Sequence, residues 1–188
     1  MQYVCELSPQ SPAPHAQNTA IRLCAGWNSW NRFSCGVSAE LLAQTADRIQ
    51  ALGLADAGYR YINSDDCWAS LGRDNHTGRI RSAFFPDSND GGDAGMRNLS
   101  RYIHGKNLLF GLYGAASEVT CAKREGNLYH EMIDAQTLAD WGVDYFKYDA
   151  CGEDNLQAYA KFQVMRDALN ATGRAIVYSF EPHGSSPY

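Results

Sequence analysis

The chain has 188 residues, 45% of them hydrophobic, and a formal net charge of −5, so it can bury one sizeable core and is expected to form one domain or part of one. The acidic balance, without a run of Lys or Arg, disfavours nucleic acid and anionic membrane as partners and favours a neutral or small polar ligand. No stretch is apolar and long enough for a membrane span, and residues 1–20 lack the hydrophobic centre of a signal peptide. We therefore expect either a removed signal or a longer parent chain.

From Gly26 onward, short apolar or aromatic runs alternate with helical patterns, which is typical of βαβ units and a parallel sheet. The predicted strands cover residues 27–30, 59–63, 108–113, 144–148 and 175–180. The predicted helices run from an N-cap at Ser38 to a stop at Gly53, and over residues 94–104, 131–141 and 154–170.

The spacing of apolar side chains predicts which face of three of these helices is buried. The predicted buried positions are Leu42, Ala46 and Ile49 in the first helix, Met96, Leu99 and Ile103 in the second, and Leu156, Tyr159, Phe162, Met165 and Leu169 in the last.

Polar side chains stand at the carboxyl ends of several predicted strands. Asp65 and Asp66 follow the second strand, and Tyr113, Asp149 and Glu181 stand at the ends of the third, fourth and fifth. A barrel of alternating strands and helices keeps its site at these strand ends, whereas a doubly wound nucleotide-binding sheet needs a glycine-rich turn that residues 31–36 do not provide. The predicted fold is therefore an α/β (β/α)8 TIM barrel, here about its first five βα units.

The six cysteines permit fifteen pairings, and none of them forms a Cys-x-x-Cys motif. Cys35 and Cys67 follow neighbouring predicted strands, as do Cys121 and Cys151, and neighbouring strands of a parallel barrel place such loops side by side. We therefore predict disulfides Cys35–Cys67 and Cys121–Cys151, with Cys5–Cys24 as a weaker third. Together with the sequons at Asn75, Asn98 and Asn170, the even cysteine count predicts a secreted or lysosomal/vacuolar protein.

Lys147 and Asp149 are two residues apart in a predicted strand, so their side chains lie on the same face, at the mouth of the barrel. A nearby ammonium favours the ionised carboxylate that a nucleophile requires. The alternative is a structural ion pair that fills the barrel.

Asp65 and Asp66 lie near aromatic residues, a combination that suits sugars because carboxylates accept hydroxyl hydrogens and aromatic faces cover the apolar side of the ring. The candidate aromatic faces are Trp27, Trp30, Trp68 and Tyr113. The alternative is that Asp66 caps a loop and the tryptophans belong to the core.

The acidic loop at residues 85–93 lacks the spacing of a calcium loop and is predicted to be a solvated turn, and the histidines show no metal-ligand spacing. No metal or cofactor is predicted.

Five segments in this order resemble glycoside hydrolase family 27, the α-galactosidases and α-N-acetylgalactosaminidases. They are GWNSW at 26–30, DDCW at 65–68, GLY at 111–113, DAQTLADWGVD at 134–144 and KYDAC at 147–151. The resemblance covers about residues 22–181. It implies the N-terminal portion of a catalytic domain at residues 22–188, preceded by a poorly ordered extension at residues 1–21.

The resemblance implies a retaining mechanism with Asp149 as the nucleophile. It implies that Lys147, Asp65 and Asp66 bind sugar hydroxyls, that Trp30 and Tyr113 line the pocket, and that Glu181 lies near the 2-hydroxyl. It also agrees with the two disulfides predicted above. Because N-acetylgalactosaminidases need a small residue where Glu181 stands, the carboxylate favours galactose. The implied partner is an α-galactoside oligosaccharide or glycoconjugate, and a homodimer is one assembly state the resemblance allows.

Some features depart from the family pattern. Cys24-Ala25 replaces a usual Pro-Met, the insertion at residues 87–94 is longer, and the segment at 179–182 lacks a family cysteine. The family's general acid/base is an aspartate after the sixth strand, so no residue here is assigned that role and a fragment is expected. The alternatives are an α-N-acetylgalactosaminidase, a β-L-arabinopyranosidase, or an inactive carbohydrate-binding relative.

Overall fold

The computed structural model describes residues 25–151 and 155–181, with the side chains of residues 155–158 excepted. The strands are β1 Gly26–Asn28, β2 Tyr61–Asn63, β3 Ala69–Arg73, β4 Ile80–Ser82, β5 Leu109–Ala115, β6 Tyr145–Asp149 and β7 Val177–Glu181. The helices are α1 Trp30–Phe33, α2 Ala39–Ala51, α3 Asp93–His104, α4 Glu131–Trp141 and α5 Asn155–Ala171. The predicted N-terminal extension, the Cys5–Cys24 pair and the side chain of Leu156 lie outside the described residues.

Five strands form one parallel sheet in the order β1-β2-β5-β6-β7. These are the five predicted strands, each hydrogen-bonded to the next along the chain. A doubly wound sheet reverses its strand order near the middle, and this sheet does not. The predicted α/β fold of the barrel type is therefore confirmed for the five strands described, and their carboxyl ends share one edge.

The core lies between this sheet and the helices that follow its strands. Ile62, Phe110 and Phe146 of neighbouring strands are fully buried, and the predicted inward faces of α2 and α3 are buried against them. Ser38 caps α2 as predicted, because its hydroxyl accepts a hydrogen bond from the Leu41 N–H at 3.1 Å.

The prediction for α5 is partly wrong. Phe162, Met165 and Leu169 are buried as expected, but Tyr159 is 57% exposed. Helical spacing correctly places Tyr159 near this face, but its ring contacts Phe180 edge-on at 6.5 Å and is not enclosed by other described residues. None of the described helices is long and apolar enough to cross a membrane.

The sequence did not predict the antiparallel pair β3–β4, nor the single turn α1. The turn between β3 and β4 is stabilised by Asp74, whose carboxylate accepts hydrogen bonds from the Thr77 N–H and hydroxyl, both at 2.7 Å. This hairpin follows the Asp65-Asp66 segment directly and lies beside the loop between β5 and α4, to which Arg73 of β3 is bonded.

Both predicted disulfides among the described cysteines are present, Cys35–Cys67 and Cys121–Cys151. They join loops that follow β1 and β2, and loops that follow β5 and β6. The loop adjacency inferred from a parallel barrel is therefore correct.

Candidate active site

Four predicted site residues meet at the carboxyl ends of β2, β6 and β7. The Lys147 ammonium lies 3.3 Å from Asp65 Oδ2, 3.4 Å from Asp149 Oδ2 and 3.8 Å from Glu181 Oε2. The sheet register explains this grouping, because Asp149 pairs with Glu181 and Lys147 stands two residues earlier on the same face of β6. We call these four residues the charged cluster.

Asp65 is held in place by the end of β1. Its backbone N–H donates to the Ser29 hydroxyl at 3.0 Å, and its Oδ2 accepts from the Asn28 side-chain amide at 2.8 Å. The carboxylate is buried, with only 3% of the residue exposed. Asn28 and Ser29 were not predicted as site residues, although both lie in the segment GWNSW that carries the resemblance.

Asp149 occupies the last position of β6. Its backbone carbonyl accepts from the Ala116 N–H at 2.8 Å, and its Oδ2 faces Lys147. Its Oδ1 is buried and accepts no hydrogen bond from any described residue. A buried acceptor without a partner costs free energy, so this oxygen needs an explanation beyond folding.

The pKa of Asp149 is raised to about 6, chiefly because burial penalises the carboxylate. The Lys147 ammonium lowers this pKa, as the sequence predicted, while the charges of Asp65 and Glu181 raise it. The net shift is therefore opposite to the one expected from the lysine alone, since the sequence does not show how deeply the carboxylate is buried or how close the other two acids lie.

The pKa of Lys147 is raised above its usual value. Burial opposes the ammonium form, but the charges of Asp65, Asp149 and Glu181 outweigh it. Lys147 therefore stays a cation and links three strand ends.

Tyr113 lies against this cluster. The Lys147 ammonium is 5.1 Å from the centre of its ring, and its hydroxyl is 3.3 Å from Cys151 Sγ. Burial, followed by the negative charge of Asp149, raises the pKa of Tyr113 above its ordinary range. The phenol stays protonated and lies beside the Cys121–Cys151 disulfide.

Asp66 is next to Asp65 but makes different contacts. Its Oδ1 accepts from the Cys67 N–H and the Thr120 hydroxyl, both at 2.7 Å, and its Oδ2 accepts from the Ala122 N–H at 2.8 Å. The alternative that Asp66 holds a loop is therefore correct, although a carboxylate with three donors can still accept a further one.

The tryptophans differ in burial. Trp68 is buried, packs edge-on against Trp141 at 5.7 Å and donates its indole N–H to the Tyr113 carbonyl at 2.7 Å. Trp27 is partly buried against Phe33. Trp30 is half-buried at the start of α1, where its N–H donates to Asn28 Oδ1 at 2.8 Å.

The acidic loop at residues 85–93 leads into α3 and caps its N-terminus. Asp90 accepts hydrogen bonds from the Gly92 N–H at 3.1 Å and the Ala94 N–H at 2.8 Å, which caps the helix.

A candidate metal-binding group lies beside the charged cluster, where the ligand atoms of Cys121, Cys151 and Asp149 are within 4.8 Å of one another. Because both sulfurs are joined in the disulfide, they are not thiolates available to a metal.

A parallel sheet with helices between its strands, and a charged cluster at the carboxyl ends of those strands, define a protein of the TIM-barrel class. The sequence profile of the family described as alpha galactosidase A matches residues 23–184. The chain therefore belongs to this family, the glycoside hydrolase family 27 predicted from its motifs.

Similar proteins are known from plants and yeasts. Alpha-galactosidase 3 of Arabidopsis thaliana is 43% identical over 155 residues, which are 82% of this chain and 34% of the relative. An alpha-galactosidase of Saccharomyces mikatae is 45% identical over 159 residues, which are 82% of this chain and 32% of the relative.

The solved alpha-galactosidase of Saccharomyces cerevisiae has a TM-score of 0.74 at 43% identity, over 83% of this chain and 34% of that one. An alpha-galactosidase from the same yeast has also been solved with raffinose. This chain thus spans about a third of the length of the relatives it matches.

Proposed function

We propose that this chain is the part of a retaining α-galactosidase that supplies the nucleophile, Asp149, and most of the groups that hold the sugar. The observation that carries the proposal is the buried Asp149 Oδ1, which has no partner among the described residues and belongs to the charged cluster. A nucleophile needs a carboxylate oxygen that is not already engaged in a hydrogen bond, and Asp149 Oδ1 has none from the described residues.

In the proposed mechanism, Asp149 attacks the anomeric carbon while a second carboxylic acid protonates the departing glycosidic oxygen. Water then hydrolyses the glycosyl ester, with the second group acting as base, so the configuration is retained. A carboxyl group with a pKa of about 6 is largely ionised at neutral pH, as attack requires.

Lys147, Asp65 and Asp66 are proposed to bind sugar hydroxyls. Lys147 donates hydrogen bonds, and the two buried carboxylates accept them, so together they match a polyol that offers both donors and acceptors. Trp30 and Tyr113 are proposed to cover the faces of the ring.

The general acid is assigned to none of the described residues. Glu181 binds Lys147 with a side chain that is half exposed, and its match is to a position near the sugar 2-hydroxyl. We propose that the acid comes from a later strand end, in the length that relatives have beyond the matched third. The 188-residue chain by itself is then expected to show negligible turnover.

Galactose is the proposed sugar, because a carboxylate at Glu181 would crowd the acetamido group of N-acetylgalactosamine. Initial rates with aryl α-galactoside, α-N-acetylgalactosaminide and β-L-arabinopyranoside test this choice. A higher kcat/KM for either of the last two substrates would change the proposed sugar but not the proposed mechanism.

The two disulfides support the proposal that the protein is secreted or lysosomal/vacuolar, because disulfides persist in oxidising compartments.

The decisive experiment compares the full-length protein with its Asp149→Asn variant on an aryl α-galactoside. Turnover should fall by at least about 10⁴-fold, because a covalent mechanism collapses without its nucleophile. The matched control is Asp56→Asn, the same chemical change at an exposed position, which should retain full activity. Undiminished turnover in the Asp149→Asn variant would show that Asp149 is not the nucleophile.

A further inference from the structure

The loop between β5 and α4, residues 116–130, folds back on itself like a hairpin, and we call it the site loop. The Asn127 N–H donates to the Ala115 carbonyl at 3.0 Å and the Gly126 N–H donates to the Glu118 carbonyl at 2.9 Å. Val119 and Glu125 form the last bridge before the tip at residues 120–124.

The tip of the site loop holds Asp66 and the disulfide. Two of the three donors to the Asp66 carboxylate, the Thr120 hydroxyl and the Ala122 N–H, come from this tip. Cys121 lies between them and is bonded to Cys151, beside the Tyr113 hydroxyl. The position of the tip therefore sets the position of the Asp66 carboxylate and of the disulfide at Cys151, which follows Asp149 of the charged cluster by two residues.

The base of the site loop is held by Arg73, which has no role in the mechanism above. The guanidinium donates to the Gly126 carbonyl at 2.7 Å, and its Nε lies 3.0 Å from Glu125 Oε1. It also makes a bidentate pair with Asp134 of α4, at 2.7 and 2.8 Å. It donates to the Gly78 carbonyl of its own hairpin as well, at 3.2 Å, and the fork geometry of arginine suits these four partners at once, which a lysine cannot reproduce.

The same ion pair is linked to the strand that borders Asp149. The Asn127 side-chain amide donates to Asp134 Oδ2 at 2.8 Å and accepts from the Ala115 N–H at 3.0 Å. Ala115 is the register partner of Asp149. One buried guanidinium thus fixes the site loop between α4 and the end of β5.

A buried ion pair is weak support for stability, because desolvation offsets much of its attraction. The Asp134 side chain is fully buried, and burial raises its pKa although Arg73 and Asn127 lower it. Since desolvation offsets the stabilisation from the Arg73–Asp134 ion pair, this pair is better explained by the position that it imposes on the site loop.

We propose that Arg73 is a positioning residue of the sugar site. It holds the site loop so that the tip places Asp66 and the Cys121–Cys151 disulfide beside the ring of the bound sugar. This inference rests on the proposed function. Arg73 itself touches neither the ring nor the reacting atoms, and it acts through Thr120 and Ala122.

The test measures kcat and KM of the full-length protein on an aryl α-galactoside, together with the Kd for free galactose. Arg73→Met should raise KM and Kd about tenfold, the effect of weakening one hydrogen bond to a charged group, with kcat changed less than about threefold. Arg73→Lys should show a smaller rise in the same direction.

Arg79→Met is the matched control. Arg79 lies in the same hairpin but pairs with Asp140 at 3.0 Å and Asp93 at 3.5 Å, so it contacts α4 and α3 and not the site loop. This variant should lower the melting temperature and leave KM within about twofold.

A double-mutant cycle separates positioning from plain stabilisation. Thr120→Val alone should raise KM and Kd. In the double variant, the total rise should be much smaller than the product of the two single-variant effects, because both substitutions disturb the same contact. Multiplicative effects, or an Arg73→Met variant with a lower melting temperature and unchanged KM and Kd, would overturn the inference. If Arg73→Met does not fold, unchanged KM and Kd in Arg73→Lys would overturn it equally.

The two proposals fail in different ways. Full turnover in Asp149→Asn removes the proposed function. An inactive Asp149→Asn variant beside Arg73 variants with the KM and Kd of the wild type removes only the role of Arg73.

Discussion

Replacement of Asp149 by Asn is expected to stabilise the fold while it abolishes turnover. Burial raises the pKa of this carboxyl from 3.8 to about 6 in the folded protein. Because the unfolded chain restores the ordinary value, the unfolded state binds fewer protons between these two pKa values, and stability falls as pH rises through that window. The free-energy cost of ionising Asp149 in the folded protein is absent below about pH 4 and fully present above about pH 6.

The size of the effect follows from the shift. Each pKa unit corresponds to about 1.36 kcal/mol, so a shift of about two units costs the folded state up to about 3 kcal/mol at neutral pH. The Asp149 side chain is only 15% exposed, so solvent screens little of this. Asn has nearly the same shape and cannot ionise. We expect Asp149→Asn to raise the free energy of unfolding by about 1–3 kcal/mol at pH 7 and by almost nothing at pH 4.

Urea unfolding of the full-length protein, followed from pH 4 to pH 8, measures this difference. The exposed Asp56→Asn variant should stay within about 0.5 kcal/mol of the wild type throughout. The reasoning is refuted if Asp149→Asn is equally stable or less stable at pH 7, or if its advantage does not grow between pH 4 and pH 6.

Three further predictions concern the same edge of the sheet. The acid limb of kcat/KM should bend near pH 6, because Asp149, as the proposed nucleophile, can attack only when ionised, and a flat profile down to pH 4.5 would contradict this. Gly111→Ala should lower the free energy of unfolding by about 1–3 kcal/mol, since its Cβ would clash with the Asn63 side chain, and an unchanged melting temperature would show that this side chain can move aside. Replacing Cys121 and Cys151 by Ser should cost about 3.5 kcal/mol through their sequence separation of 30 residues and also lower kcat, whereas loss of stability alone would mean the bridge does not shape the site.

The sheet and its edge could be predicted from the sequence because the relevant signals are local. Short apolar or aromatic runs mark the strands, Asp or Glu follows three of them, and Ser38 marks the start of α2. Once the strands are parallel and sequential, their carboxyl ends meet, and Lys147 and Asp149 follow from alternation. The disulfides follow from the same adjacency.

The rest depended on contacts between distant residues. Asn28 and Asp65 are 37 residues apart, and Arg73 and Asp134 are 61 apart, so no spacing rule connects them. The turn chemistry around Asp74 was a usable signal for the β3–β4 hairpin, because Asp with Thr and Gly three and four residues later is typical of a side-chain-capped turn. Tyr159 was predicted as buried from helical spacing alone, which shows only that a side chain shares a face.

The charged cluster also limits the kind of ligand. Three carboxylates share one ammonium, so the cluster carries an excess of negative charge and of hydrogen-bond acceptors, including the unpartnered Asp149 Oδ1. An anionic ligand would add repulsion in a buried site, and a cation would compete with Lys147 for the same oxygens. A neutral polyol can donate hydroxyl hydrogens to the surplus acceptors, accept from Lys147, and leave the charge unchanged. The geometry thus supports, independently of family, the neutral ligand that the acidic composition favours.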